Sequence, residues 1–212
     1  MNDSTPPDTR QLRRRLRRLR AAIPETELRA ASAAVSARVA ALPAFRRARR
    51  IAAYVGSKGE IDPMPLLYLA WLSGKQCFLP VLHPFLPGRL WFLPWRPSMS
   101  MVVNRFGIPE PPCDASRHCK PQWLDLVLMP LLGFDDRCHR LGMGGGFYDR
   151  TFAFVRRQRY RSRPLLIGLA HDVQRCDAIP LMPWDVRPSM IVTPTTLLAC
   201  KARERILHAV KH

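Results

Sequence analysis

The chain predicts an α/β domain, a mainly parallel sheet forming the middle of three layers and covered by helices on both faces. Three observations carry that reading. Short apolar runs alternate with helical patterns along the sequence. The runs "RIAAYVG", "LDLVLMP", "PLLIGLA" and "SMIVTP" are apolar throughout instead of at every second residue, as strands buried on both sides are. And 212 residues with 47% apolar content suffice for one sizeable core.

In chain order, residues 1–9 read as a disordered lead-in and residues 10–212 as one domain. Leu12, Leu16 and Leu19 recur at helical spacing, which sets Arg13, Arg14, Arg17 and Arg18 on the other sides as a solvated face. "IPETELRAASAAVSARVAAL" is a second helix, opened by Pro24, Glu25 and Glu27 and ended by Pro43. "RIAAYVG" is a strand running into the turn "SKGEID", and "PMPLLYLAWLSGK" a helix closed by Gly74. "QCFLPVL" and "GRLWFLPW" pair as a hairpin across "HPFLPG". The proline-rich residues 109–121 are irregular. "LDLVLMP" is the next strand, followed by a glycine-rich loop and a helix over "FYDRTFAFVRRQ". "PLLIGLA" and "SMIVTP" are strands, and "TTLLACKARERILHAV" reads as a terminal helix. There is no internal repeat and no long linker.

The net charge of +18 attracts polyanions in general. It is mostly arginine, spread from Arg10 to Arg205, so nucleic acid stands as a rival partner and not the favoured one. The longest apolar run, from Leu124, is broken by Asp125 and Pro130 and is too short for a membrane span. The first residues lack the hydrophobic segment of a secretory signal. A cytoplasmic monomer with no membrane partner is expected. The six cysteines show no CxxC spacing and are expected to be reduced; Cys113, His118 and Cys119 do not fit a zinc site.

Ligands of open α/β sheets bind beyond the carboxyl ends of the strands. Two polar loops take that position, "SKGEID" and "LGFDDRCHRLGMGGGFYDR". In the second, Gly142, Gly144, Gly145 and Gly146 precede a helix start, an arrangement that offers free N–H groups to an anion. Arg140 adds a charged donor. Asp149 would repel a bare phosphate, so a bridging Mg²⁺ is implied. The loop is no Walker motif, since Gly-Lys-Ser/Thr is missing, and Phe147 takes the third glycine position of the dinucleotide fingerprint. Tyr148, Phe152 and Val155 have the spacing of a core face, so a phosphate loop and a tight packing turn both stay open on physical grounds. Glu60 follows a strand and can accept a ligand N–H. His83 and His171 lie in loops after strands, have no partner visible in sequence, and read as structural.

"FDDRCHRLGMGGGFYDR" is similar to the signature of 5-formyltetrahydrofolate cyclo-ligases, also called 5,10-methenyltetrahydrofolate synthetases. "YVGSKGEIDPMPLL", "FLPVLHPF", "LWFLPW", "NRFGIPEP", "IGLAHDVQ", "IPLMPWDV" and "IVTP" match further segments of that family, in order. The resemblance implies a three-layer α/β fold and an ATP-dependent ring closure that gives 5,10-methenyltetrahydrofolate, ADP and phosphate. It implies that Arg140, Leu141, Gly142, Met143, Gly144, Gly145, Gly146, Phe147 and Tyr148 hold ATP, with Arg140 and Tyr148 catalytic. Asp149 and Asp185 would bind Mg²⁺, Glu60 would bind the folate, and Val55 would pack against it. A basic residue and a Leu-Arg pair of the family's first helix reach the phosphates. Leu12 and Arg13 supply that pair, the usual lysine falls on Thr9, and Arg10 is its candidate substitute. Two further departures are Cys138, where a glycine is usual, and Phe147, where a tyrosine is. Some members also carry a lysine where this chain has Gly145.

Overall fold

The computed structural model describes residues 9–57, 59–157 and 164–200. Two helices come first, α1 (Thr9–Ala21) and α2 (Glu25–Ala41), then the one-turn α3 (Pro43–Arg47). Thr9, expected in the lead-in, is the first residue of α1; the rest of the lead-in lies outside the described residues. The buried stripe of α1 is Leu12, Leu16 and Arg20, while Leu19 is 40% exposed. The leucine pattern therefore misplaced the face by one step. Positions 12, 16 and 20 lie four apart, and their row curls gradually around the helix.

The central sheet follows from β1 (Arg50–Ala52), α4 (Met64–Leu72), β2 (Gln76–Leu82) and β3 (Leu90–Trp95). A small ribbon of β4 (Val102–Val103) and β5 (Pro109–Glu110) and two 3-10 turns precede β6 (Leu126–Pro130). A second small ribbon, β7 (Gly133–Phe134) with β8 (Arg140–Leu141), leads into α5 (Phe147–Thr151), then β9 (Leu165–Leu169), β10 (Met190–Val192) and β11 (Leu197–Ala199). The seven-stranded order is β11-β10-β9-β6-β1-β2-β3. The inner five strands are parallel, and β3 and β11 run antiparallel on the two edges.

Successive residues of the parallel strands feed two cores. Ile51, Ala53, Leu126, Leu128 and Ile167 pack with α2 and α4, whereas Ala52, Val127, Met129 and Leu166 pack with Phe92 and Phe152. That two-sided burial is why those strands read as continuous apolar runs. Each fully buried leucine or isoleucine contributes about 1.5–3 kcal/mol relative to exposure.

Three further expectations change. The helix read over "FYDRTFAFVRRQ" is the five-residue α5 followed by a 3-10 segment, Ala153–Arg157, beyond which the described residues stop until 164. The start of the expected terminal helix is β11, which pairs with β10; its remainder, 201–212, lies outside the described residues. And the cysteines are not all reduced: Cys138 and Cys200 form a disulfide, with Cα atoms 5.7 Å apart across a separation of 62 residues. The β7–β8 hairpin and the edge strand bring these two together, which spacing could not show. Cys138 stands at φ 58°, the left-handed region glycine favours, and so holds the turn where the resemblance expects glycine.

Thiol titration of the denatured chain is expected to find four thiols without reductant, those of Cys77, Cys113, Cys119 and Cys176, and the remaining two after reduction. By the chain-entropy estimate, Cys200→Ser should lower unfolding free energy by up to roughly 4 kcal/mol in urea denaturation.

Candidate active site

Strand β1 lies beside β6 at the centre of the sheet, and the chain departs from these two in opposite directions, to β2 on one side and to β9 on the other. This is the switch point at which α/β sheets open a crevice. The loop after β1 carries Val55 and Glu60; the segment after β6 carries the β7–β8 hairpin and the glycine loop.

Arg140, on β8, is 7% exposed. A buried guanidinium needs a counter-charge and acceptors for its N–H groups. Its Nε donates to the Val186 carbonyl at 3.0 Å, and one terminal nitrogen, Nη2, pairs with Oδ1 of Asp149. The Val186 N–H donates to that same oxygen at 3.0 Å. The other terminal nitrogen, Nη1, faces the glycine loop, 3.4 Å from where a side chain on Gly142 would begin. Asp185, one residue before Val186, is half-buried and accepts the Met182 N–H. Upstream, Asp135 accepts the N–H groups of Arg137, His139 and Ile179 and pairs with the His139 ring. That buried knot holds the hairpin that presents Arg140.

The glycine loop is held by its carbonyls. Arg13 Nε donates to the Gly142 carbonyl and Arg17 to that of Met143, both at 3.1 Å, and Arg150 donates to that of Gly145. Among the described residues, the N–H groups of residues 142–147 have no hydrogen-bond partner. Gly146, at φ 62°, turns the chain into α5, whose Tyr148 stacks beside Phe152. Phe147 packs edge-on against Phe106. Leu141 is buried against Leu12 and Leu16 of α1.

Glu60 faces the same crevice from the other loop. Arg20 donates to its Oε1 at 2.9 Å, and the Ser57 N–H and hydroxyl donate to Oε2. Both partners are buried, and the Arg20 Nε has no partner among the described residues. Gly59 makes the approach possible: at φ +77°, a side chain there would meet the Arg20 carbonyl at 2.7 Å. The His171 ring contacts the Gly59 carbonyl at 3.1 Å, a structural role as expected. Burial, then the nearby Glu60 carboxylate, pushes the Tyr148 hydroxyl far above its ordinary 10.0. Burial and the Glu60 charge do the same to Tyr54, whose hydroxyl donates to the Ile61 carbonyl at 2.6 Å.

Residues 6–194 match the 5-formyltetrahydrofolate cyclo-ligase family. The chain belongs to that family. It is 39% identical over 178 residues to the 5-formyltetrahydrofolate cyclo-ligase of Escherichia coli K12, covering 84% of this chain and 95% of that one. It is 36% identical to the Haemophilus influenzae cyclo-ligase, over 83% of this chain and 92% of that one. Among solved structures it resembles the 5,10-methenyltetrahydrofolate synthetase of Aquifex aeolicus, with a TM-score of 0.77, 27% identity and coverage of 91% and 93%. The chain is thus a cyclo-ligase-family enzyme of folate metabolism, and the α/β fold with its mainly parallel sheet agrees with the sequence reading.

Within that cyclo-ligase frame, the two loops and α1 converge. Arg13, Arg140, Gly142, Tyr148, Asp149 and Glu60 all belong to the connected set described above. Asp185 is the sequence neighbour of Val186, but among the described residues its carboxylate is engaged by the Met182 N–H and by no member of that set. Val55 packs on the main core, and Arg10 is exposed at the start of α1. Sequence reading missed Arg17, Arg20 and Tyr54. The signal for Arg20 was its place in the row 12, 16, 20; for Tyr54 it was a hydroxyl at the end of an otherwise apolar strand.

Arg20→Met should destabilise the chain by about 3–5 kcal/mol, because a buried carboxylate is left unpaired. The double variant Arg20→Met/Glu60→Gln should recover much of that loss in urea denaturation. The raised tyrosines set an alkaline limit. The folded state keeps protons that the unfolded state releases from about pH 10, so stability falls as pH rises above that value. Tyr148→Phe should flatten that fall in a pH series of unfolding midpoints.

Proposed function

We propose that the chain converts 5-formyltetrahydrofolate to 5,10-methenyltetrahydrofolate with ATP as co-substrate and Mg²⁺ as the metal. The observation that supports this best is the row of N–H groups at 142–147 without partners among the described residues, in a loop whose carbonyls are engaged by Arg13, Arg17 and Arg150. Backbone donors left without carbonyl partners suit phosphate oxygens.

The formyl oxygen is a poor leaving group. Transfer of the γ-phosphoryl group to it releases ADP and gives an imidate-like phosphate. N10 of the folate then attacks the formyl carbon, the carbon–oxygen bond breaks, and phosphate leaves as N10 gives up its proton. The protein's part is positioning and charge neutralisation. Arg140 Nη1 and the loop N–H groups hold the phosphates, with Arg13 and Arg10 on α1 adding positive charge. Glu60, fixed by Arg20 and Ser57, accepts a folate N–H. Tyr148 stays protonated at neutral pH and serves as a donor in the crevice.

The donor set fits Mg²⁺. Asp149 is held by two bonds that both fall on Oδ1, leaving Oδ2 for a ligand, and Asp185 follows in the chain segment that carries Val186. Mg²⁺ takes one or two carboxylates and completes its shell with phosphate and water. Bound there, Mg²⁺ would neutralise charge on the transferring phosphoryl group.

The test follows the near-ultraviolet absorbance of the methenyl product with purified protein. A rise that requires both ATP and Mg²⁺ is expected. Asp149→Asn should nearly abolish it, but that variant also strips the counter-charge from Arg140 and should lower stability by about 3 kcal/mol. Asp185→Asn is the cleaner variant: it should raise the Mg²⁺ needed for half-maximal rate by about tenfold while the unfolding midpoint stays in place. An Asp185→Asn enzyme with unchanged Mg²⁺ dependence would remove that residue from the metal assignment.

A further inference from the structure

The opposite end of the sheet carries a second concavity, remote from the crevice. It lies at the amino ends of β1 and β2, where Arg50 pairs in register with Gln76 and Cys77 with Trp95. Its volume is about 450 Å³, and indoles line it from three directions: Trp71 from α4, Trp95 from the end of β3, and Trp123 from the 3-10 turn before β6. Trp71 is 40% exposed and Trp123 53% exposed. Trp71 and Trp123 stand outside the buried core clusters, whereas Trp95 is partly buried against the main one and Trp71 has Tyr68 beside it.

Cations share the lining. Arg50 and Arg117 reach it exposed, and among the described residues the Arg50 guanidinium is engaged only through its Nε, on Gln76 Oε1. Lys75 is anchored on the Arg46 and Ala48 carbonyls. Lys120 places its ammonium 5.3 Å over the Trp123 ring. The four segments that build this end, residues 42–50, 70–78, 91–96 and 115–124, contain no Asp or Glu. The nearest flanking carboxylates are engaged: Asp125 accepts the N–H groups of Arg49 and Arg50, and Asp114 caps the turn at Ser116. The basic surface continues past the cavity through exposed Arg46 and Arg47 of α3 and Arg96 after β3.

We propose that this groove binds single-stranded nucleic acid, with unpaired bases stacked on Trp71, Trp95 and Trp123 and the backbone tracked by Arg50, Arg117 and Lys120. Charge spread along a chain does not select a partner. Indoles interleaved with cations in a concavity do, because stacking needs flat unpaired bases and the cations need a phosphate beside each. The positive surface extends beyond the volume one nucleotide fills, which favours a strand over a free nucleotide. A second copy of this chain is disfavoured, since like charges would meet. Placement at the amino ends of the strands leaves the crevice at their carboxyl ends unobstructed.

Fluorescence anisotropy of labelled oligothymidylate and oligouridylate, with quenching of intrinsic tryptophan emission as a second readout, tests this on the full chain. Binding should weaken steeply with salt. Trp123→Ala and Arg117→Ala should each reduce affinity by about tenfold, and Arg117→Ala should lower the salt slope by about one. Cyclo-ligase turnover should be unchanged in both variants, since neither residue belongs to the crevice. Duplex DNA and heparin should compete poorly at equal charge. Failure to bind, or binding that both variants leave intact, would overturn the proposal. So would equal competition by heparin, duplex or an acidic polypeptide, each of which would reduce the groove to general polyanion attraction. Competition by a mononucleotide at the same concentration as the oligomer would also overturn it, in favour of a small-ligand site.

Discussion

A guanidinium taken out of water must bring its own acceptors, and Arg140 shows how far that requirement reaches. Its neighbours come from three stretches of chain: the hairpin after β6 that carries it, α5 with Asp149, and the loop before β10 with Val186. None of these is held by long secondary structure. The hairpin has two residues on each side, and α5 is just over one turn. Satisfying one buried charge therefore does the work that extended packing does elsewhere. Asp135 extends the same logic upstream by gathering three N–H groups and the His139 ring around a carboxylate.

Helix α1 carries a parallel constraint. Arg13 and Arg17 hold the glycine loop while Arg20 holds Glu60, so one helix spans the loops of two adjacent strands. The bonds to the loop go to carbonyls, which leaves the N–H groups to whatever enters. The bond to Glu60 is charged and buried, which fixes the carboxylate more tightly than an exposed pair would. The geometry of the crevice is thereby coupled to the docking of α1, and that docking rests on Leu12 and Leu16 against Leu132, Leu141 and Ile179.

Much of this was legible in the residues. The apolar runs announced strands buried on both faces, and the two loops at the switch point were the ones the strand order predicts. The glycine cluster marked its own loop, and Glu60 and Asp149 could be placed on the two loops that flank the switch point. What stayed hidden depends on contacts far apart in sequence. Arg20 looked like one more solvated arginine because helical spacing alone assigns 19 and 20 almost equally well. The β7–β8 hairpin was too short to leave a period. Cys138 and Cys200 gave no sign of pairing because a disulfide depends on the edge strand, and the edge strand was read as helix. The brevity of α5 was masked by Tyr148, Phe152 and Val155, whose core spacing persists through a 3-10 segment.

The disulfide between Cys138 and Cys200 changes the topology of the chain as well as its fold. It closes a covalent ring that contains the glycine loop, α5, β9 and β10, and leaves α1 and the strands β1 to β3 on the open tail. The crevice thus lies on the seam between a cyclic piece and a linear one. Pulled from its ends, such a molecule would surrender the tail first and keep the ring as an unextended knot of contour length. The crevice would come apart at that seam, with Glu60 leaving on the tail while residues 142–146 stay on the ring, stripped of the Arg13 and Arg17 bonds that hold them.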